Sequence, residues 1–177
     1  GCTIGAACIG AVATYEAYRG QGLASKLMDH AIEKARNWGA QLMLISGGRG
    51  LYRRLGAADV GMDPLIDVDA KAARALRMDN LQLTDAAASD ATMFSALHQQ
   101  KPVRFIRPLD EWQTHLLHRV SLCRDVDIMM ARKGGSPVGY IVALPDEDKK
   151  HVRVVEYGGD ALAAAGCAET LLARYSL

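Results

Sequence analysis

The sequence predicts a mixed α/β fold, a central mixed sheet flanked by helices, and three observations predict it. Two short apolar runs in the first 46 residues each lead through glycine into a helical pattern. Between them lies an amphipathic stretch whose apolar residues recur at steps of three and four. From about residue 78 onward, further strand-like and helical runs follow, two of them joined by a hairpin signal.

The first run, residues 7 to 14 (Ala-Cys-Ile-Gly-Ala-Val-Ala-Thr), reads as a buried strand. A helix is expected from Gly22 to Trp38, with Leu23, Leu27, Met28, Ala31, Ile32, Ala35 and Trp38 on one face and Gly39 placed to end it. Residues 41 to 46 give a second buried strand, followed by Gly47-Gly48-Arg49-Gly50 and a brief helix, Leu51 to Leu55, stopped by Gly56. That alternation argues for a parallel pairing. Leu65 to Val68 is a weak edge-strand candidate beside Pro64. The pattern resets near residue 71, dividing the chain into 1–70 and 71–177. Leu81 to Leu83 precedes helices at 89–99 and 109–120. Strands at 128–132 and 138–144 flank the turn Lys133-Gly134-Gly135-Ser136-Pro137, a third strand covers 151–157, and Asp160 to Tyr175 reads as one Ala-rich helix.

Composition narrows the function. Half of the 177 residues are hydrophobic, enough for a core, and 21 Lys and Arg stand against 20 acidic residues. A formal charge of +1 gives no electrostatic case for nucleic acid or a membrane surface. Cys2, Cys8, Cys123 and Cys167 are scattered, without metal-ligand spacing or a disulfide framework, and read as cytosolic thiols. With no run of roughly 20 apolar residues and no signal-peptide pattern, a cytoplasmic protein is expected.

The sharpest signal lies between the first strand and the first helix. A helix N-terminus leaves about four backbone N–H groups unpaired at the positive end of the macrodipole, which suits a pyrophosphate. Gly20 and Gly22 let the backbone approach such a ligand, Arg19 adds a permanent charge, and Ser25 adds a hydroxyl in the first turn. A structural turn carries the same glycines. A triphosphate loop of the GxxxxGK[ST] type is absent, and a dinucleotide GxGxxG fails because Ser25 stands where the third glycine belongs.

Arg19-Gly20-Gln21-Gly22-Leu23-Ala24 resembles the [Q/R]xxGx[G/A] signature of the GNAT acetyltransferase superfamily, and Val12 to Tyr18 resembles the family's approach to that loop. The resemblance implies acetyl-CoA as cosubstrate. The backbone of Val12, Ala13 and Thr14 would pair with the pantetheine arm like an added strand, and Arg19, Gly20, Gln21, Gly22, Leu23, Ala24 and Ser25 would grip the pyrophosphate. Leu51 to Ala57 resembles the family's Tyr-x-x-x-Gly segment, which places Tyr52 where a tyrosine often protonates the departing thiolate. Tyr52 is otherwise a core tyrosine with its hydroxyl tied up.

No general base stands out. Glu16 and Glu156 qualify by chemistry alone, and a solvated surface carboxylate is the simpler identity for either. His30 lies on the polar side of its helix, and His115 and His118 sit three apart without further ligands; no metal is expected. Cys8 reads as a small core residue.

The order of parts departs from the family. Residues 1 to 70 resemble only the second half of a GNAT domain, and residues 78 to 177 resemble a first half continued into its own third helix, so the chain resembles the middle of a tandem GNAT protein. Glu156-Tyr157-Gly158-Gly159-Asp160-Ala161 then aligns with Arg19 to Ala24 as a degenerate second loop, because acidic residues there would repel a pyrophosphate. The implied activity is acetyl transfer to an amine, a small molecule or a peptide, by an N-acetyltransferase. The alternative is a silent GNAT-like CoA-binding or assembly module. Strands 128–157 are expected to share one sheet with strands 7–14 and 41–46, within one chain as a permuted domain or between chains as a swapped homodimer.

Overall fold

The computed structural model describes residues 1–61, 66–121, 124–146 and 150–177. They divide into two compact units, Gly1–Pro64 and Leu65–Leu177.

In the first unit β1 (Ala6–Ile9) and β2 (Leu42–Ile45) pair in parallel, from Ala6 opposite Leu42 to Ile9 opposite Ile45. A parallel pair needs a crossover, and α1 (Leu23–Asn37) supplies it, with Met28 and Ala35 buried two turns apart on one face. Gln41 sets the start of the ladder twice over: its N–H donates to the Gly5 carbonyl at 2.8 Å and its side-chain oxygen accepts from the Gly5 N–H at 2.9 Å. A one-turn helix, α2 (Gly50–Arg54), follows β2.

The first strand is shorter than its apolar run predicts. It stops at Ile9 because Ala11 takes a left-handed φ of 53°, which no extended ladder accommodates, and residues 10–15 run on without strand pairing. Nor are β1 and β2 buried: Ala6, Cys8 and Leu42 are exposed, since each strand of a two-stranded sheet is an edge. Cys8 is thus not a core residue.

In the second unit β3 (Leu81–Asp85), β6 (Asp127–Lys133), β7 (Ser136–Pro145) and β8 (Val152–Gly159) form an antiparallel sheet in the order β3-β6-β7-β8. The expected sheet shared with strands 7–14 and 41–46 is therefore not formed within the chain: among the described residues the parallel pair and the antiparallel four are separate sheets. β4 (Val120–Ser121) and β5 (Arg124–Asp125) make a small antiparallel pair that the sequence pattern did not signal.

The helices are α3 (Ala70–Ala75), α4 (Ala91–Gln99), α5 (Leu109–His118), α6 (Ala161–Gly166) and α7 (Ala168–Tyr175). No strand covers Ile66 to Val68, and Leu65 lies outside the described residues; Asp69 instead caps α3, its carboxylate accepting from the Ala72 N–H at 2.7 Å. α5 ends two residues early because Arg119 turns left-handed at φ 50°. The expected terminal helix is broken into two at Cys167.

Period-two alternation builds a core on each side of the antiparallel sheet. Ile128, Met130, Tyr140 and Val142 face Phe94 of α4 and Trp112 and Leu116 of α5. Met129, Ala131, Ile141 and Ala143 face Cys167 and Leu171, and burial pushes the Cys167 thiol up to about 11. No described helix is long and apolar enough to cross a membrane.

Candidate functional site

The strand-to-helix segment of the first unit begins where the β ladder lets go. The last ladder bond runs from the Ser46 N–H to the Ile9 carbonyl at 3.2 Å. Beyond it Val12, Ala13 and Thr14 continue without a backbone partner on the β2 side, so their backbone polar groups other than the Thr14 carbonyl remain available. A 3₁₀ turn, Glu16–Tyr18, then reverses the chain, closed by bonds from Tyr18 N–H to Tyr15 O at 2.9 Å and from Arg19 N–H to Glu16 O at 3.1 Å.

Arg19 folds back across this turn, donating from Nε to the Thr14 carbonyl at 3.3 Å, while the Gln21 amide reaches the Ala17 carbonyl at 3.4 Å. One Arg19 donor thus shapes the loop, and the terminal guanidinium N–H groups make no other hydrogen bond among the described residues. Gly20 and Gly22 have φ of 78° and 72°, values an L side chain adopts only under strain, and a Cβ built on either would meet nothing within 4 Å. Both glycines are therefore set by backbone conformation, and the space beside them is open to a ligand.

Helix α1 starts at this point without a cap. Gly22 offers no side chain, the first turn holds no acidic residue, and the first paired amide is that of Lys26, donating to the Gly22 carbonyl at 3.1 Å. The N–H groups of Leu23, Ala24 and Ser25 precede it and carry the positive end of a helix of 15 residues. Gly20, Gln21, Gly22 and Leu23 are exposed, Ala24 and Ser25 half-buried. Lys34 and Arg36 in the last turn match the opposite pole.

The aligned segment of the second unit is built differently. Asp160 caps α6 with its own carboxylate, accepting from the N–H groups of Leu162 at 2.8 Å and Ala163 at 3.4 Å. Its glycines serve packing: a Cβ on Gly158 would lie 2.2 Å from the Tyr140 ring, and one on Gly159 2.4 Å from the Val138 carbonyl. An anion meets amides already occupied and a fixed negative charge.

Tyr52 sits on α2 with only 5% of its surface exposed, its ring beside Gly47. Its hydroxyl makes no hydrogen bond among the described residues and is not among their buried unpaired polar atoms, so it opens to solvent. The ring belongs to the core and the hydroxyl is not tied up, which joins the two alternatives left open by the sequence. A cavity of about 460 Å³ in this unit is lined by Ala6 to Ile9, Trp38 and Met43, and not by Arg19 to Ser25.

The other candidates separate clearly. Glu16 and His30 are exposed. Glu156 is not a solvated surface carboxylate: it is half-buried, receives both terminal nitrogens of Arg107 at 3.2 Å, and accepts from the Tyr140 hydroxyl at 2.7 Å. Burial raises its pKa, but the bonds from Tyr140 and Arg107 and the Arg107 charge outweigh burial and hold it below the ordinary carboxylate value. His115 is lowered, by burial first and Arg107 second. No group of three His, Cys, Asp or Glu among the described residues could hold a metal ion.

Residues 5–57 match the model of the acetyltransferase (GNAT) family. Over 97% of this chain, the fold superposes on the crystal structure of a GCN5-related N-acetyltransferase from Anabaena variabilis ATCC 29413, with a TM-score of 0.67 at 19% identity, covering 45% of that chain. A GCN5-related N-acetyltransferase from Kribbella flavida gives a TM-score of 0.61 at 20% identity, covering 43% of that chain. The family match is confined to residues 5–57, and the likeness to the solved structures is one of fold. The fold is mixed α/β and GNAT-like. The chain spans under half the length of the solved GNAT structures it matches. No curated protein matches it significantly. The family match encloses both the Arg19–Ser25 segment and Tyr52.

Sequence reasoning missed the roles of Tyr140, His98 and Arg107 around Glu156. Their partners lie 16 to 49 residues apart in sequence, so no local pattern announces them.

Proposed function

We propose that this chain carries the acetyl-CoA site of an N-acetyltransferase and that the site lies wholly in the first unit. The observation that carries the reading is the uncapped N-terminus of α1 behind two left-handed glycines, with Arg19 held over the same turn. It fits a diphosphate: free amides, a positive dipole end, a permanent cation and open space converge.

When bound, acetyl-CoA supplies an activated thioester. The amides of Leu23, Ala24 and Ser25 and the guanidinium of Arg19 hold the diphosphate, and the backbone of Val12 to Thr14, free of strand pairing, aligns the pantetheine arm. In the transfer, the amine nitrogen bonds to the thioester carbonyl carbon and gives up a proton to solvent, the carbon–sulfur bond breaks, and the sulfur takes a proton. Tyr52 carries an unbonded hydroxyl on a buried ring inside the family match and can supply that proton. The acceptor is an amine of a small molecule or peptide.

A second reading, a CoA-binding or assembly module without turnover, is favoured by one observation. Every described carboxylate and histidine of the first unit is exposed, so no buried base stands ready to take the amine's proton. An acetyl-CoA titration followed by a thiol-release assay over an amine panel separates the two: binding with turnover supports the enzyme, and binding without turnover on any amine supports the module.

A further inference from the structure

The second unit contains a chain of polar groups that the cofactor reading does not use, and its hydrogen atoms can be counted. His98, on α4 and almost fully buried, sets Nε2 at 2.9 Å from the Phe105 carbonyl and Nδ1 at 3.1 Å from the Tyr140 hydroxyl. The Tyr140 hydroxyl is in turn 2.7 Å from Oε1 of Glu156. Both ends of this chain, a carbonyl and a carboxylate, only accept. Three contacts therefore need three protons.

The order in which they must be supplied is fixed. Two oxygens at 2.7 Å require a proton between them, and with Glu156 ionised it comes from Tyr140. That hydroxyl has no second proton, so Nδ1 must bring its own to the Tyr140 oxygen. The Phe105 carbonyl has none, so Nε2 must bring another. A neutral imidazole carries one proton. Placing the extra proton on Glu156 conflicts with the two Arg107 bonds that both of its oxygens accept.

We propose that His98 is an imidazolium in the folded unit at neutral pH and that, with Tyr140 and Glu156, it latches residues 101–108 onto the sheet. The groups facing it support the assignment. Glu156 Oε1 lies 3.8 Å from Nδ1. Arg107, which shares Glu156 with this chain, has its charge engaged by Glu156 and by the Trp112 ring, whose centroid is 4.2 Å away. Trp112 also meets the His98 ring edge-on at 5.3 Å. His115 on α5 is pushed towards its neutral form by burial and by Arg107, so it adds no competing charge. Lys101 points its ammonium at the Tyr157 ring, 4.2 Å from the centroid.

The latch holds a segment that shows Val103, Phe105 and Ile106 to solvent, 89%, 66% and 72% exposed, by the Phe105 carbonyl at one point and by Arg107 on Glu156 at another. Loss of one His98 proton removes one of the three links. The latched state weakens as pH falls through the depressed Glu156 value.

Long-range proton–nitrogen correlation spectra of the full chain, labelled with nitrogen-15, read the state of each histidine ring. At pH 7, where an unperturbed histidine is mostly neutral, both His98 nitrogens are expected to carry protons. Tyr140→Phe removes the acceptor but keeps the ring, and in that variant His98 is expected to be mostly neutral at pH 7. A wild-type His98 with one bare nitrogen at pH 7 overturns the proposal by itself, whether or not the variant folds. A His98 that stays doubly protonated in a folded Tyr140→Phe variant overturns the relay.

Discussion

Replacing Gly22 with Asp converts the open N-terminus of α1 into the kind that Asp160 makes for α6. Gly22 sits at φ 72°, where Asp and Asn are the best tolerated of the non-glycine residues, and a Cβ there meets nothing within 4 Å. The backbone cost, about 1 kcal/mol, is offset in part by a carboxylate at the helix N-terminus, worth about 0.3–1 kcal/mol. The fold is expected to survive. For the ligand the sign reverses. The site is exposed, so the dielectric of water applies: one carboxylate about 5 Å from each of two phosphate charges contributes about 0.8 kcal/mol per pair. Loss of one amide donor adds about 1 kcal/mol. The total, about 2–3 kcal/mol, raises the Kd for acetyl-CoA roughly 30- to 150-fold. Gly22→Asn has the same shape without the charge and is expected to bind at least tenfold more tightly than Gly22→Asp. Isothermal titration of both variants, with folding checked by circular dichroism, measures this. Equal affinity for Asn and Asp refutes the placement of the diphosphate at this helix end.

Four further outcomes follow from other residues. Arg19→Ala removes a cation and the link to the Thr14 carbonyl, and is expected to weaken acetyl-CoA about tenfold, more at low salt than at high, by titration at two ionic strengths. Tyr52→Phe keeps the buried ring and removes an unbonded hydroxyl, so stability and cofactor affinity should hold while thiol release under single-turnover conditions falls by about tenfold or more. Asp160→Ala strips the cap from α6 and should lower the stability of the second unit by about 1 kcal/mol in urea without creating a second acetyl-CoA site. Because Glu156 is held below its ordinary value, its contribution is fully present above about pH 4.3 and is lost as pH falls through the depressed value; Glu156→Gln should flatten that acid limb in a denaturation series.

The legible parts of this molecule are those whose cause is local. Helix α1 announces itself because its apolar spacing, the glycines before it and Gly39 after it all act within a few residues. The loop was legible for the same reason, since Gly20 and Gly22 stand where positive φ is needed and no acidic residue enters the first turn. The end of β1 was not, because an alanine, Ala11, takes a left-handed φ that residue type does not encode. Cys8 and its neighbours read as buried since apolar composition cannot tell a central strand from one of a pair. Gly158 and Gly159 looked like loop glycines and are packing glycines; the Tyr140 ring that excludes a Cβ from Gly158 comes from another strand. Glu156 was misread for a related reason, because Arg107 and Tyr140 reach it from other elements of the fold.

The central claim is that a diphosphate is held by the amides of α1 and by Arg19. Titration of the full chain with acetyl-CoA, CoA and the pantetheine arm alone tests it most directly. The account predicts one site for acetyl-CoA and CoA, no measurable binding of the arm lacking the diphosphate, and a site weakened roughly 30- to 150-fold in Gly22→Asp. Acetyl-CoA binding that is indifferent to Gly22→Asp, or no binding of acetyl-CoA at all, would contradict it.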